Sequence, residues 1–198
     1  MAAGRKLQFD KDQALDEAMQ VFWANGYSGT SLNQLTSALG INKPSLYAAF
    51  GNKEQLYCRA LERYGSRYGE PRLQHLTKPD TSPLREGVQA YLLAVARFQT
   101  DPDLPGGCFF VQTTGEARAS AMPHPVVDSM TTINRQTLEK LTGFFEREKA
   151  AGRLDSESAP GTLALYLMNT LFGMAMIARN GATFSDLEKV VALAIQVF

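Results

Sequence analysis

The residues able to do chemistry in this chain are few. There are two cysteines, Cys58 and Cys108, and two histidines, His75 and His124. Neither cysteine sits in a C-x-x-C pair, and no H-x-x-x-H or H-E-x-x-H occurs, so the spacing offers no metal site. Two thiols do not make a disulfide framework. Both histidines fall in expected loops. Gly106-Gly107 reads as a turn before a helix rather than a nucleotide fingerprint. The carboxylates are scattered along polar helix faces as solvated surface. An enzyme needs converging acids, bases and nucleophiles; without them the reading is no enzyme, no metal and no cofactor, with an all-α enzyme as the remote alternative. Cys108 stands apart. It falls in the first turn of a helix expected over 108–119, where the helix dipole favours the thiolate; the plainer reading is a small buried hydrophobe. Gln112 and Glu116 follow it at intervals of four, placing all three on one helix face.

The elements that organise the chain lie elsewhere, in Thr30–Lys53. Ser31 can cap a helix by accepting backbone N–H bonds. Leu32, Leu35 and Leu39 then recur at helical spacing. Gly40 stops that helix in the left-handed conformation, Ile41 plugs the turn, and Asn42 caps the next helix with Pro44 in its first turn. Leu46 and Phe50 face the same core, leaving Lys43, Ser45, Ala48 and Ala49 outward. Two short helices around a glycine turn make a helix-turn-helix. A small outward face carrying one cation suits the DNA major groove, although a helical hairpin of any all-α protein has the same outline.

The run T-S-L-x-x-L-x-x-A-L-G-I-x-K-P-S-L-Y-x-x-F-x-N-K-E-x-L, from Thr30 to Leu56, resembles the signature of the TetR family of transcriptional regulators. Phe22, Gly26 and Tyr27 match its usual lead-in. The likeness covers about Ala14 to Tyr57. Thr36 departs from the pattern where a small Ala is usual, and Ala49 departs where a phosphate-reaching side chain is frequent. The resemblance implies a homodimeric regulator, a repressor released from a double-stranded, palindromic DNA operator by a small-molecule inducer. It implies that Lys43, Pro44, Ser45 and Ala48 meet the major groove, while Thr30 or Ser31, Tyr47 and Lys53 reach phosphates. A redox or electrophile sensor on the same scaffold, triggered at Cys108, is the alternative.

Whole-chain properties bound this reading. The chain has 198 residues, 44% of them apolar, and a formal net charge of zero. The first sixty residues carry six cations against five acids. The N-terminus lacks an apolar signal core, and Leu163–Ala178 is short of the roughly twenty residues of a membrane span, so the expectation is a cytoplasmic protein with no membrane partner. Met1–Phe9 is a short arm whose Arg5 and Lys6 could reach DNA. No strand pattern or internal repeat appears. The expected fold is all-α with about nine helices: a three-helix DNA-binding head over 1–55 and a helical ligand-binding and dimerisation body over 56–198. The helix from Lys53 is expected to weaken at Gly65 and Gly69 and stop at Pro71, with a loop over 74–82 and a new helix from Ser82-Pro83. The apolar helices 160–180 and 185–198 would form a four-helix bundle with a second copy. Tyr91, Phe98, Cys108, Phe109, Gln112, Glu116, Met168 and Phe172 are the expected inducer pocket. A buried Glu116 there would favour an aromatic or amphipathic ligand carrying positive charge.

Overall fold

The computed structural model describes residues 9–77, 83–119, 122–154 and 157–198; the arm with Arg5 and Lys6, and Ser82, lie outside them. The elements in chain order are α1 (Lys11–Asn25), α2 (Leu32–Ala38), α3 (Lys43–Phe50), α4 (Lys53–Tyr64), a π-helical turn (Gly65–Gly69), α5 (Glu70–Thr77), α6 (Leu84–Gln99), α7 (Phe109–Ala119), α8 (His124–Ala150), α9 (Pro160–Arg179) and α10 (Phe184–Ala194), with a final 3-10 turn (Ile195–Val197). No strand occurs among the described residues. Because α4, the π turn and α5 run on without a break as one rod, the described residues make nine helical rods.

Local chemistry explains the head. Asp10 caps α1 by accepting from the Asp12 and Gln13 amides. Ser31 and Gln34 form a reciprocal capping box at α2. That helix ends in a Schellman motif: Gly40 takes φ +61°, the Gly40 amide donates to Ser37 O and the Ile41 amide to Thr36 O. Thr36 turns its hydroxyl back onto Leu32 O at 3.0 Å, which is how the departure from a small residue is absorbed. Asn42 caps α3 through the Ser45 amide at 2.9 Å, and Asn52 caps α4. Phe22, Trp23, Leu35, Leu46, Phe50, Leu56 and Tyr57 then close a shared core. Ala49 belongs to that core, not to the outward face expected of it. Its carbonyl accepts from Arg59 at 3.3 Å.

The head core is not insulated from the body. Phe98, Phe109 and Met130 complete it from α6, α7 and α8. A second core, built on Val88, Leu92, Leu141, Phe145, Leu163, Leu167, Leu187 and Val191, holds α6, α8, α9 and α10 together.

Two expectations about the body's helices change. Gly65, Gly69 and Pro71 do not stop the helix from Lys53. A wide π turn spans Gly65–Gly69 instead, and Pro71, which has no N–H to donate, follows it within the continuous rod. His75 therefore lies in a helix, and His124 opens α8. The helix expected over 160–180 is found at Pro160–Arg179, but the reading of its apolar run as too short for a membrane span changes. At 20 residues α9 is long and apolar enough to cross a bilayer by length and composition, yet its one side packs into the second core. Its other side leaves Leu165, Met176 and Ile177 exposed, beside Val190 and Leu193 of α10.

Candidate DNA-reading head and ligand cavity

On the head, Leu46 and Phe50 point inward, while Lys43, Pro44, Tyr47 and Ala48 are exposed and Ser45 partly so. A helix whose inner face is locked by two large apolar side chains, and whose outer face is small, can lie in a groove without reshaping. Ser31 is exposed at the N-terminus of α2, where free amides point outward. Thr30 is corrected. Its side chain is only 1% exposed, and its hydroxyl donates to Gly26 O at 2.6 Å, so it braces the loop and does not present to phosphate. Lys53 rests its ammonium 4.2 Å from the Tyr27 ring centroid. Partial burial there pulls its pKa down, and the negative charge of Glu116 offsets part of that. Asp16 of α1 is paired within the fold: Arg63 and Arg67 of the α4 rod both contact it at 2.7 Å. The Arg63 hydrogen bonds, with help from Arg67, hold the Asp16 carboxyl below its ordinary range.

The body contains a cavity of about 410 Å³. It lies where the end of α4, the π turn and α5 meet α6, the start of α7, α8 and α9. Tyr91, Phe98, Cys108, Met168 and Phe172, all named from sequence, meet in its wall. Phe109, Gln112 and Glu116 do not. Phe109 points the other way into the head core, edge-on to Tyr57 at 5.2 Å.

Sequence reasoning missed Tyr64, Tyr68, Arg72, Gln99 and Phe110, which also line the cavity. The π turn is responsible for most of that miss. Its glycines and the following Pro71 read from sequence as a helix end, so Arg72 falls outside the expected helix and Tyr68 at its weakened end, although both follow Tyr64 at intervals of four. Its glycines matter sterically: a Cβ on Gly65 would stand 3.2 Å from the Phe110 ring. Tyr64, Tyr68, Phe98 and Phe110 gather there as tilted and edge-to-face rings, with Tyr64 and Phe110 4.9 Å apart. Arg72 in α5 lies over Phe98, its guanidinium carbon 3.4 Å from the ring centroid.

Glu116 does something else: it reaches the head. Its Oε2 accepts from the Tyr27 amide at 3.0 Å and the Ser28 amide at 3.4 Å, while Gln112 Nε2 donates to Oε1 at 3.4 Å. The i, i+4 spacing was the visible signal; the partner lay too far along the chain to be seen. Three further bonds join body to head at the end of α1. Arg179 of α9 donates to Trp23 O and Ala24 O, and Trp23 Nε1 donates to Gly106 O at 3.1 Å.

Cys108 lies just before α7, and the Gln112 amide donates to its carbonyl at 3.0 Å. Its thiol is corrected in sign. Burial pushes its pKa up and outweighs the Tyr64 hydroxyl and the Val111 and Phe110 amides, which favour the thiolate. The Tyr64 hydroxyl donates to Sγ at 3.3 Å. No group of three or more His, Cys, Asp or Glu placed to hold a metal occurs among the described residues.

A helix-turn-helix head tied by polar clamps to a hollow helical body defines a DNA-binding regulator with a ligand response. Residues 14–60 match the profile of bacterial regulatory proteins of the tetR family, and residues 85–192 match a tetracyclin repressor-like C-terminal domain. The chain belongs to the TetR family, and it is a DNA-binding transcriptional regulator. It is 32% identical to the HTH-type transcriptional repressor ComR of Escherichia coli (strain K12), over 98% of this chain and 91% of that one. A cysteine mutant of the TetR family regulator CifR, solved with 26-bp double-strand operator DNA, is 34% identical and superposes with a TM-score of 0.88 over 98% of this chain and 100% of that one. AibR, solved with isovaleryl coenzyme A and operator DNA, shares the fold alone at 17% identity, with a TM-score of 0.71 over 95% of this chain and 99% of that one.

Proposed function

We propose that this regulator is a homodimeric repressor that leaves a palindromic operator when a small molecule fills the body cavity. Residues 1–55 serve as the DNA-binding head and 56–198 as the ligand-binding and dimerisation body. The protein acts in the cytoplasm and catalyses no reaction. The observation that carries the reading is that the two helices with one end at the cavity have the other end at the head. The α4 rod starts at Lys53 beneath the DNA-facing helices and ends as the cavity wall. From Cys108 at the cavity, α7 runs to Glu116, which holds the Tyr27 and Ser28 amides. A ligand that prefers one spacing of these helices shifts the head spacing by its difference in affinity, and by no more.

Lys43, Pro44, Ser45 and Ala48 face the bases; Ser31, Tyr47 and Lys53 face phosphates. The exposed apolar strip of α9 and α10 meets its copy, which places two recognition helices on two half-sites. Selection of bound sequences from random duplex DNA with the purified protein tests this. A two-fold symmetric consensus supports the reading, and an asymmetric or absent consensus removes it.

The second reading makes Cys108 the trigger. The thiol does open on the cavity, but burial holds it protonated near neutral pH. Iodoacetamide should therefore alkylate Cys108 more slowly at pH 7 than a free cysteine. Tyr64→Phe, which removes the hydroxyl favouring the thiolate, should slow it further. Fast labelling, together with oxidant-driven release of DNA that Cys108→Ser abolishes, would restore the sensor reading.

A further inference from the structure

Arg72 is a half-buried cation with no carboxylate paired to it among the described residues. Its guanidinium lies on the Phe98 ring and beside the Tyr68 ring, and one of its N–H groups donates to Tyr68 O. Ring faces and one carbonyl do not replace a counter-ion for a cation withdrawn from water. Burial accordingly disfavours its charged form. The other charged groups of the wall, Glu62, Glu70 and Lys140, are all exposed, so solvent screens them. The phenols of Tyr64 and Tyr91 are held neutral by burial; Tyr64 already donates to Cys108 Sγ, which leaves Tyr91 able to donate.

A second observation also points to a ligand. Gln99 is 3% exposed in the same wall. Its Nε2 donates to Leu171 O at 3.3 Å, which fixes the amide orientation and leaves Oε1 buried without a partner. Orphaned buried acceptors are uncommon in folded proteins and call for an occupant.

We propose that the cavity takes an amphipathic aromatic carboxylate bearing an N–H or O–H donor. The carboxylate pairs with Arg72, the ring lies among Tyr64, Tyr68, Phe98 and Phe110, and the donor satisfies Gln99 Oε1. This inference rests on the inducer reading and narrows it. It also reverses the sign of ligand charge expected from sequence, because Glu116, the basis of that expectation, is outside the cavity.

Indole-3-butyrate carries all three features, and indole-3-butyramide keeps the shape but is neutral, with an NH2 donor in place of one carboxylate oxygen. Isothermal titration of the full chain should find the acid bound about tenfold or more tighter than the amide, the usual worth of a charge-assisted hydrogen bond. Arg72→Met, which keeps the apolar stem, should remove that preference and leave amide affinity unchanged. Arg72→Lys should keep part of it. Equal binding of acid and amide to the unmodified protein overturns the anion preference and leaves the cavity a ligand site. Acid binding unaffected by Arg72→Met overturns the role of Arg72. Binding of neither probe overturns the proposal, and the inducer reading is then judged separately by whether any small molecule releases operator DNA.

Discussion

Gly26 and Glu116 should behave as one energetic unit, although 90 positions separate them in sequence. Gly26 ends α1 with φ +74° and ψ −179°, a conformation reserved for glycine that costs about 1–3 kcal/mol with a side chain. A Cβ there would also stand 1.7 Å from Glu116 Oε1. Gly26→Ala must therefore strain the backbone and eject the carboxylate, which can swing away cheaply but loses its bonds. The Tyr27 bond is short, whereas the Ser28 contact at 3.4 Å is exposed and replaceable by water. We take the clamp as worth about 1–2 kcal/mol, the low end for hydrogen bonds to a charge. Glu116→Ala should then cost about 1–2 kcal/mol and Gly26→Ala about 2–5 kcal/mol, the sum of strain and lost clamp. The double variant should be no less stable than Gly26→Ala alone, because the clamp can be lost only once. Urea unfolding midpoints of the four proteins at one protomer concentration measure this. Additive losses, within about 0.5 kcal/mol, would refute the clamp.

Three further outcomes follow from the same geometry. Lys43→Ala should cost about 1–3 kcal/mol on the best DNA site and relax its sequence preference, whereas Lys53→Ala should weaken all sequences alike; gel shifts on matched and scrambled sites separate the two, and uniform loss from both would refute the division of roles. Leu193→Glu, at a position 76% exposed on the α9–α10 strip, should give monomers by sedimentation while leaving helicity intact, and an unchanged dimer would place the interface elsewhere. Asp16→Asn should destabilise by about 1 kcal/mol at pH 7. The Asp16 pKa is depressed in the fold, so its stabilisation is present above the ordinary carboxylate value and is lost as pH falls through the folded value. The gap from the unmodified protein should therefore close as the pH falls through the depressed folded value in urea unfolding, and a gap that never narrows on acidification would assign the loss to something other than charge.

The head was legible because its signals are local. Ser31, Asn42 and Asn52 cap helices within three residues of themselves, and Gly40 announces its turn by type. The family resemblance added roles to those residues, not their geometry. Ala49 was misplaced because the phase of so short a helix is settled by tertiary packing, and Thr30 because its hydroxyl turns back onto Gly26 O instead of outward. The cavity was legible only in part. Tyr91, Phe98, Met168 and Phe172 follow the apolar period of their helices, so convergence could be expected. Arg72 could not be placed, since the glycine pair and Pro71 before it read locally as a break and hid its interval of four from Tyr68 and Tyr64. Glu116 was rightly singled out as unusual and wrongly assigned, because a carboxylate that caps amides 88 and 89 residues away leaves no trace in its own neighbourhood.

The central claim is that filling the body cavity loosens the grip of the head on DNA. Its most direct test is fluorescence anisotropy of a selected operator duplex with the purified protein, titrated with indole-3-butyrate, repeated with Glu116→Ala. The account predicts operator release by the ligand in the unmodified protein. It predicts a smaller shift in operator affinity in Glu116→Ala, with ligand affinity retained. A ligand that binds with unchanged operator affinity, or release that is identical with and without Glu116, would contradict it.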